Sequence, residues 1–422
     1  MLLYFKTSNN LSFNQEVTFS MIAGNYKDPE NKGKQLLEKN LMWSEKYKVN
    51  VLKAAAIYGA NASGKSNFLK AIGNAVEFIR HNFTESHSET SIPFLSEYNK
   101  LDSDNLNRPI TFCFGILVDD TQFEYNFSYS KERVLSESLL EYRTQKPIEH
   151  FTRVYSEQTK DYDWTFSKYF TGEKETVKKI TNERSLYLTV GAVSKLEICE
   201  KIFQWFDEKI VFAVDINSPG MLEDETILFV MAEDVNVKKV VLELLKKADF
   251  AIVDFKFKRL ADGGLLVTSV HRTLDKEGKE VLIDFDYFNE ESVGTRRFMG
   301  SLAGCLDLFS KEKTGLIDEF GTSMHSLLSK DLLKLFVRLL NENKKGKNKL
   351  QLIFTTHDTN LMDASIFRKD QIWITERDER GNSRMYPVSD FKTKKGVDLE
   401  SEYLQGLYGG IPFLKDEKHG VA

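Results

Sequence analysis

Eight consecutive residues have the types and spacing to bind a polyphosphate. They fit the pattern G-x-x-x-x-G-K-[ST] and are followed by Asn67: Gly59, Ala60, Asn61, Ala62, Ser63, Gly64, Lys65 and Ser66. In such a loop the backbone N–H groups surround the phosphates, and glycine allows an approach that a side chain would block. Lys65 is expected to reach the β- and γ-phosphates, and the Ser66 hydroxyl to ligate Mg²⁺. The pattern predicts a nucleotide site over residues 59–67.

The flanking sequence indicates a strand before this loop and a helix after it. Residues 51–58 (VLKAAAIY) are mostly apolar, as in a buried strand. Apolar residues then recur at helical spacing: Phe68, Leu69, Ile72, Val76 and Ile79. The order strand, loop, helix aims the helix N-terminus at the phosphates, where its dipole is favourable. An ordinary glycine-rich turn before a helix is the alternative interpretation.

Two later apolar runs end in residues that could complete the site. Residues 314–317 precede Asp318 and Glu319, and residues 350–355 lead to His357. Because ligands of an open α/β sheet collect at the carboxyl ends of its strands, these segments should converge on one phosphate. We expect Asp318 to hold Mg²⁺, Glu319 to orient or deprotonate the attacking water, and His357 to contact the γ-phosphate.

Composition excludes several other classes of protein. The 422 residues allow two or three domains, or one domain with a large insertion. The three cysteines are far apart without a C-x-x-C pair, which argues against a disulfide framework or a zinc site. The chain has no run with the length of a membrane span and no signal-peptide pattern, so a cytoplasmic protein without membrane contact is expected. A net charge of −5 argues against a basic nucleic-acid clamp.

The remaining periodicity predicts the elements that carry the site. Alternating residues indicate two strands within 1–22, a hairpin over 110–129 and a meander over 255–285, and residues 24–50 suggest a surface excursion. Helical spacing indicates helices from Leu196, ending in a strand from Ile210, and over 237–245 and 328–339. The basic loop 344–347 is interpreted as a solvated connection, with a phosphate-backbone contact as the alternative.

Three stretches resemble a known family of ATPases. GANASGKSN (59–67), LIDEFGTSMH (316–325) and TTHD (355–358) resemble the ABC-type ATPase heads of the SMC, Rad50, RecF and OLD lineage. The tail YLQGLYGGIPFL (403–414) and the stretch 291–295 (ESVGT) resemble, more narrowly, the RloA-like AAA-ATPase subunits of bacterial phage-defence modules. The resemblance covers about residues 1–130 and 285–422.

The resemblance implies an α/β fold: an ABC-ATPase head with a P-loop sheet, an N-terminal antiparallel β lobe and an inserted α+β region. The resemblance divides the chain into three parts. Residues 1–130 carry the loop 59–66, called the phosphate loop below, and the β lobe; residues 131–284 form the inserted lobe; and residues 285–422 carry the remaining motifs. It also implies ATP as the nucleotide, with Mg²⁺.

The resemblance further implies a site shared between two copies. Ser292, Gly294 and Thr295 would form the signature turn that binds the γ-phosphate held by the opposite subunit. Thr322, Ser323 and His325 would lie at the same dimer face, and no glutamine is assigned to the Q-loop. A capped helix that begins near Ser292 is the plain structural alternative.

These features lead to a slow ATPase that works as a homodimer or higher oligomer. The first hypothesis is a sensor or scaffold that controls a separate effector, a nuclease in the related modules, during antiphage defence. The alternative is a RecF- or Rad50-like repair ATPase that clamps DNA in its ATP-bound dimer. A transporter's nucleotide-binding subunit is disfavoured, because about 150 residues separate the hairpin from Glu291.

Overall fold

The phosphate loop lies at the end of a six-stranded, mostly parallel sheet. The computed structural model describes residues 1–24, 40–85, 92–143, 146–212, 224–247, 251–296, 298–300, 302, 312–322, 326–342, 349–392 and 398–411. Within those residues the fold is α/β, with several sheets and helices between and beside them. None of the helices in the described part of the chain is long and apolar enough to cross a membrane.

The strands, numbered in chain order, are β1 (Leu2–Ser8), β2 (Val17–Ser20), β3 (Leu41–Ser44), β4 (Val49–Leu52), β5 (Ala54–Gly59), β6 (Ile110–Val118), β7 (Thr121–Tyr129), β8 (Val134–Tyr142), β9 (Ile148–Ser156), β10 (Asp161–Phe166), β11 (Ile210–Phe212), β12 (Ile252–Arg259), β13 (Leu265–Leu274), β14 (Glu280–Asp286), β15 (Thr314–Ile317), β16 (Gln351–Thr355), β17 (Ile372–Arg377) and β18 (Ser383–Pro387).

The helices are α1 (Lys65–Glu85), α2 (Phe94–Glu97), α3 (Lys174–Ile180), α4 (Tyr187–Val193), α5 (Glu197–Lys209), α6 (Asp224–Glu233), α7 (Val235–Lys247), α8 (Tyr287–Glu290), α9 (Ser326–Glu342) and α10 (Leu399–Leu404). Helical residues also follow Ser292, beginning at residue 293.

The strands form two large sheets and two small ones. The six-stranded sheet has the order β11-β15-β16-β5-β17-β18, in which β18 is antiparallel to its neighbour. The seven-stranded sheet is antiparallel, with the order β10-β9-β8-β7-β6-β1-β2. The strands β12-β13-β14 form a separate three-stranded sheet, and β3 pairs with β4.

Helix α1 is buried between the two large sheets. Phe68 of α1 packs edge-on against Phe5 of β1 with ring centroids 5.8 Å apart, and against Phe19 of β2 at 5.2 Å. Alternate residues of β5 serve the two sides, since Ile57 belongs to the core around α1 and Tyr58 to the core around α9. The phosphate loop therefore connects a fully buried strand to a helix whose apolar face is buried, which fixes both of its ends.

Most of the predicted elements are confirmed. The N-terminal pair, the 110–129 hairpin, the 255–285 meander and the two middle helices all form, and the five apolar residues predicted for α1 are buried. The hairpin turns at Asp119 and Asp120, whose φ values of 46° and 57° suit a two-residue connection.

Two predictions need correction. The single strand predicted for residues 51–58 is divided at Lys53, because Val49–Leu52 pairs with β3 while Ala54–Gly59 enters the main sheet. The surface excursion predicted for 24–50 is wrong for its last part, where β3 and β4 form a hairpin with Met42 and Val51 buried. Residues 25–39 and the basic loop 344–347 lie outside the described residues.

Strands from the predicted insertion, 131–284, enter both large sheets. β8, β9 and β10 extend the seven-stranded sheet, and the short β11 pairs in parallel with β15 at the edge of the phosphate-loop sheet. The division into three parts at residues 130 and 284 remains a prediction. What the topology does show is that residues 131–212 share sheets with the first part of the chain.

A buried ion pair attaches α4 to the seven-stranded sheet. Glu137 of β8 and Arg153 of β9 are both fully buried, with Arg153 Nε 3.2 Å from Glu137 Oε2. The same carboxylate accepts hydrogen bonds from the Tyr125 hydroxyl at 2.9 Å and from the backbone N–H groups of Tyr187 and Leu188 at 2.7 and 2.8 Å. Glu137 thus satisfies donors at the start of α4.

We expect Glu137→Leu to lower the free energy of unfolding by about 3 kcal/mol, because it leaves the Arg153 guanidinium buried without its partner. Denaturant titration measures this, with the exposed Glu132→Gln as the control that stays within about 0.5 kcal/mol. The double variant Glu137→Leu/Arg153→Met should recover part of the loss. A double variant less stable than Glu137→Leu would contradict the pairing.

Candidate nucleotide site

The phosphate loop has the backbone conformation that its sequence pattern predicts. Gly59, Ala62 and Gly64 have φ values of 150°, 60° and 111°, in the region that favours glycine. A Cβ atom at Gly64 would lie 2.1 Å from Ser383 Oγ, and one at Gly59 would lie 2.3 Å from the Thr375 carbonyl oxygen. Both glycines are therefore required by close packing as well as by their φ angles.

Lys65 is buried inside the loop that precedes it. Its Nζ donates to the carbonyl oxygens of Gly59 at 2.9 Å and Ala60 at 3.0 Å. Burial lowers the pKa of Lys65 to about 8, although the nearby carboxylates of Asp318 and Glu319 act in the opposite direction. A phosphate oxygen at this position would give the ammonium group an anionic acceptor.

Ser66 and Asp318 lie together, as a magnesium site requires. Ser66 Oγ donates to Asp318 Oδ1 at 3.1 Å, across 252 residues of sequence, and Thr355 Oγ1 donates to the same oxygen at 2.5 Å. Hydroxyl and carboxylate oxygens are hard ligands that suit Mg²⁺, which takes its other ligands from phosphates and water. The described residues hold no group of three His, Cys, Asp or Glu side chains that would form an all-protein metal cage.

Glu319 has a strained backbone at the end of β15. Its φ of 53° is unusual for a residue with a side chain and costs of order 1 kcal/mol. The conformation is held by β16, since Glu319 N donates to Thr355 Oγ1 at 2.8 Å and Phe320 N donates to the Thr355 carbonyl at 2.8 Å. This turn directs Glu319 differently from Asp318, which gives the two carboxylates separate positions.

His357 lies in the same electrostatic environment. Partial desolvation and the Lys65 charge lower the pKa of His357, while Glu319 and Asp318 raise it less. The imidazole is therefore mostly neutral at pH 7 and can donate one hydrogen bond to a phosphate oxygen. A cavity of about 570 Å³ joins His357 to the loop residues Gly59, Ala60, Asn61 and Ser63.

Hydroxyl groups that the sequence analysis did not identify hold the loop from outside. Ser63 Oγ and Thr375 Oγ1 lie 2.6 Å apart, and Thr375 also donates to the Tyr58 carbonyl at 3.2 Å. Ser383 Oγ donates to the Ser63 carbonyl at 2.7 Å and lies 2.7 Å from Ser12 Oγ. Threonine and serine at the end of one strand and the start of another carry no recognisable motif, so these contacts had no sequence signal.

The predicted signature residues lie beside the three-stranded sheet, not the six-stranded sheet that carries the phosphate loop. Ser292 Oγ accepts a hydrogen bond from Thr295 N at 3.0 Å and lies 2.8 Å from Thr295 Oγ1, as in the capped helix described as the alternative. Glu291 fixes the turn to β13, because its Oε1 accepts from Ser269 Oγ and His271 Nε2, each at 2.5 Å. Ser292, Gly294 and Thr295 are absent from the described residues that line the 570 Å³ cavity.

Other predicted residues can be placed only in part. Thr322 ends the turn that begins at Glu319, with its N–H donating to the Glu319 carbonyl at 3.1 Å. Ser323 and His325 lie outside the described residues. Asn67 is in the first turn of α1, directly after the lysine and serine of the loop.

Comparison with known proteins identifies a family. A family model described as "AAA domain, putative AbiEii toxin, Type IV TA system" matches residues 54–189 and 233–363, which is more than half of the chain. The match includes the phosphate loop, Asp318, Glu319 and His357.

Two solved structures are similar to this chain at low identity. The SMC head domain from Thermotoga maritima has 10% sequence identity and a TM-score of 0.36, over 92% of this chain and 98% of that one. The protein cbiO1 from Clostridium perfringens, described as part of the ABC transporter complex cbiONQ, has 13% identity and a TM-score of 0.31, over 96% of each chain. Comparison with curated proteins found no match.

We expect ATP affinity to fall as the pH rises above about 8. Lys65 of the free protein loses its proton near that pH. Bound phosphate favours the charged form, so binding at higher pH must take up a proton and weakens by up to tenfold per pH unit. Titration calorimetry between about pH 7 and pH 9.5 measures the slope.

Lys65→Arg is the matched control, because the guanidinium group stays charged throughout this range. Its ATP affinity, whatever its absolute value, should change less with pH than that of the original protein. Equal slopes for the two proteins would contradict the lowered pKa of Lys65.

Proposed function

The chain belongs to the family of AAA domains whose model it matches, and from this premise we propose that it is a slow ATPase that acts as a nucleotide-dependent switch. The observation that carries the proposal is the convergence of Lys65, Ser66, Asp318 and Glu319 on one point. Ser66 and Asp318 share a hydrogen bond, and the charges of Asp318 and Glu319 act on Lys65. These are the groups needed to hold ATP–Mg²⁺ and activate water.

The roles of the residues follow from their positions. Lys65 and the loop N–H groups bind the phosphates, and Mg²⁺ held by Ser66 and Asp318 would neutralise phosphate charge. Glu319 accepts the proton of the attacking water, the new P–O bond forms at the γ-phosphorus, and the bond to ADP breaks. His357 donates to the γ-phosphate during this transfer.

We further propose that a second copy completes the site. The Ser292 turn offers hydroxyl and N–H groups, its Ser292 and Val293 are exposed, and its position is fixed by the Glu291 anchor on β13. A turn of this kind, supplied by each subunit to the other, gives a symmetric dimer that closes on two ATP molecules. ATP would favour the closed dimer through contacts that hydrolysis removes.

The biological role we propose is control of a separate effector, a nuclease, in bacterial antiphage defence, as in the RloA-like modules that the motifs resemble. The description of the family, which includes a putative toxin of type IV toxin–antitoxin systems, supports a place in a toxic two-component module. DNA clamping by the closed dimer is the competing role, and ATP-dependent, salt-sensitive DNA binding would favour it.

We expect Glu319→Gln to trap the closed dimer on ATP–Mg²⁺. Loss of the proton acceptor should lower turnover by about 100-fold or more, and the mass by light scattering should double when ATP–Mg²⁺ is added. Purifying Glu319→Gln together with the product of the neighbouring gene tests whether that product binds it as the proposed effector. Lys65→Ala is the control that should stay unchanged in mass. An identical mass with and without ATP in Glu319→Gln would overturn the closing step.

Mixing two inactive variants tests whether Ser292 acts in the opposite subunit. In a dimer of Lys65→Ala with Ser292→Ala, one of the two sites combines an intact Lys65 with an intact Ser292. A random mixture should therefore regain about a quarter of the original turnover, since half of its dimers carry one complete site. Steady-state phosphate release measures this.

The control for the mixture is Asp102→Ala, which removes another capping side chain, at a 3-10 helix distant in sequence from the Ser292 turn. Asp102→Ala, measured by itself, should keep the turnover of the original protein. A mixture of Lys65→Ala and Ser292→Ala that stays inactive, although a tag on one variant recovers the other variant in the presence of ATP–Mg²⁺, would show that Ser292 does not serve the neighbouring site.

A further inference from the structure

The C-terminal segment, residues 398–411, lies directly against the phosphate loop. It begins with α10 and continues through a turn in which Gly406, Gly409 and Gly410 have φ values of 79°, 70° and 68°. The ring of Tyr403 lies 6.1 Å from that of Tyr58, the residue before the loop. The Tyr403 hydroxyl donates to the Gly410 carbonyl at 3.0 Å, which closes the segment into a compact hook.

Several contacts hold this hook to the rest of the fold. The Tyr386 hydroxyl on β18 donates to the Tyr408 carbonyl at 2.9 Å. Within the hook, the Tyr408 hydroxyl donates to the Glu402 carboxylate. The rings of Phe391 and Tyr408 lie 5.5 Å apart. Tyr403 and Tyr408 are both buried. The segment is therefore packed into the fold through Tyr403 and Tyr408, so a change in the segment should alter the groups that it contacts.

Gly410 is the point at which the hook meets the loop. A Cβ atom there would lie 2.5 Å from Ile374 Cγ2, 3.2 Å from the Thr375 carbonyl oxygen and 3.5 Å from Gly59 Cα. No L side chain fits between these groups without moving one of them. The backbone of Gly410 thus packs on the end of β17 and on the first glycine of the phosphate loop.

Thr375 passes this contact on to the loop. It is fully buried, and its Oγ1 lies 2.6 Å from Ser63 Oγ inside the loop. Its carbonyl oxygen lies against Gly59. A continuous line of packed atoms therefore runs from Gly410 through Thr375 to Ser63, and so from the hook into the loop.

The hook also forms one wall of the space beside the loop. The 570 Å³ cavity has Gly59, Ala60, Asn61 and Ser63 on the loop side, and the hook contributes a set of residues from α10 and the glycine turn: Tyr403, Leu404, Gly410 and Ile411. Removing the hook would open this cavity and leave Gly59 without packing on that side.

We propose that the C-terminal segment 398–411 is a positioning element of the nucleotide site. It holds Gly59 and Thr375 in place, so that the loop is already ordered before nucleotide binds. The free energy of binding is then not reduced by the entropy cost of ordering the loop. The inference rests on the proposed binding of ATP by this loop.

Two glycine variants test it in the full chain. Gly410→Ala and Gly406→Ala both place a side chain on a residue with positive φ in the same turn, and a Cβ atom at Gly406 meets only the Ile411 side chain, 3.0 Å away. Both should lower the thermal midpoint, Gly410→Ala by more, because its Cβ atom also meets Ile374 and the Thr375 carbonyl oxygen. ATP affinity, measured by calorimetry, should weaken about tenfold in Gly410→Ala and less than about twofold in Gly406→Ala.

Thr375→Val gives a second test that does not strain the backbone. It keeps the shape of the side chain and removes the contacts with Ser63 and the Tyr58 carbonyl. It should weaken ATP binding several-fold, with a moderate fall in the thermal midpoint because two buried groups lose their partner. Equal losses of ATP affinity in Gly410→Ala and Gly406→Ala would overturn the proposal. If Gly410→Ala does not fold, unchanged affinity in Thr375→Val would overturn it instead.

Lys65→Ala separates this inference from the proposed function. Loss of ATP binding in Lys65→Ala, with full affinity in both Gly410→Ala and Thr375→Val, would refute the positioning role and leave the ATPase intact as a proposal. Unchanged ATP affinity in Lys65→Ala would refute the proposed function itself.

Discussion

A phosphate-binding loop must point several backbone N–H groups at one spot, and no regular element does this. In the loop 59–66, Gly59, Ala62 and Gly64 have positive φ values, which no regular helix or strand has. Such a backbone is not stable by itself, because its donors and carbonyls have no ladder of hydrogen bonds to hold them. The surrounding structure supplies what the loop lacks. β5 and α1 fix its ends, and Thr375 and Ser383 hold its middle from outside.

The same constraint explains the strand order of the six-stranded sheet. β16 lies between β5 and β15, and its last residue, Thr355, and the following Thr356 contact the turn that follows β15. Thr355 donates to Asp318 while accepting from Glu319 N, and Thr356 Oγ1 donates to the Phe320 carbonyl at 2.9 Å. These hydroxyls keep Glu319 in its strained conformation. The turn carrying both carboxylates is thus positioned by a strand that supplies no charge of its own.

The sequence predicted the elements with strong local patterns. Phe68 to Ile79 repeat at helical spacing for more than three turns, and the 110–129 hairpin alternates on both strands, so local physics decides these elements. It also predicted the approach of Asp318 to Ser66, because both follow strand ends of one sheet. It could not predict that β11, three residues long, pairs with β15 about a hundred residues later, since so short a run has no periodicity. Nor could it find Thr375 or Ser383, whose role depends only on which strand lies beside β5.

The electrostatics of the site favour a nucleotide with a divalent ion over a bare phosphate. Lys65 brings one positive charge, and burial lowers its pKa to about 8 although the carboxylates of Asp318 and Glu319 act in the opposite direction. Asp318 and Glu319 bring two negative charges near the same point, which opposes a polyphosphate anion. A divalent cation held by Ser66 and Asp318 would reverse that balance. The neutral hydroxyls of Ser63, Thr355, Thr375 and Ser383 fit this scheme, because they fix the geometry without adding charge to it. Packing and hydroxyl groups therefore determine the shape of the site, and a few charged groups are left to determine what it binds.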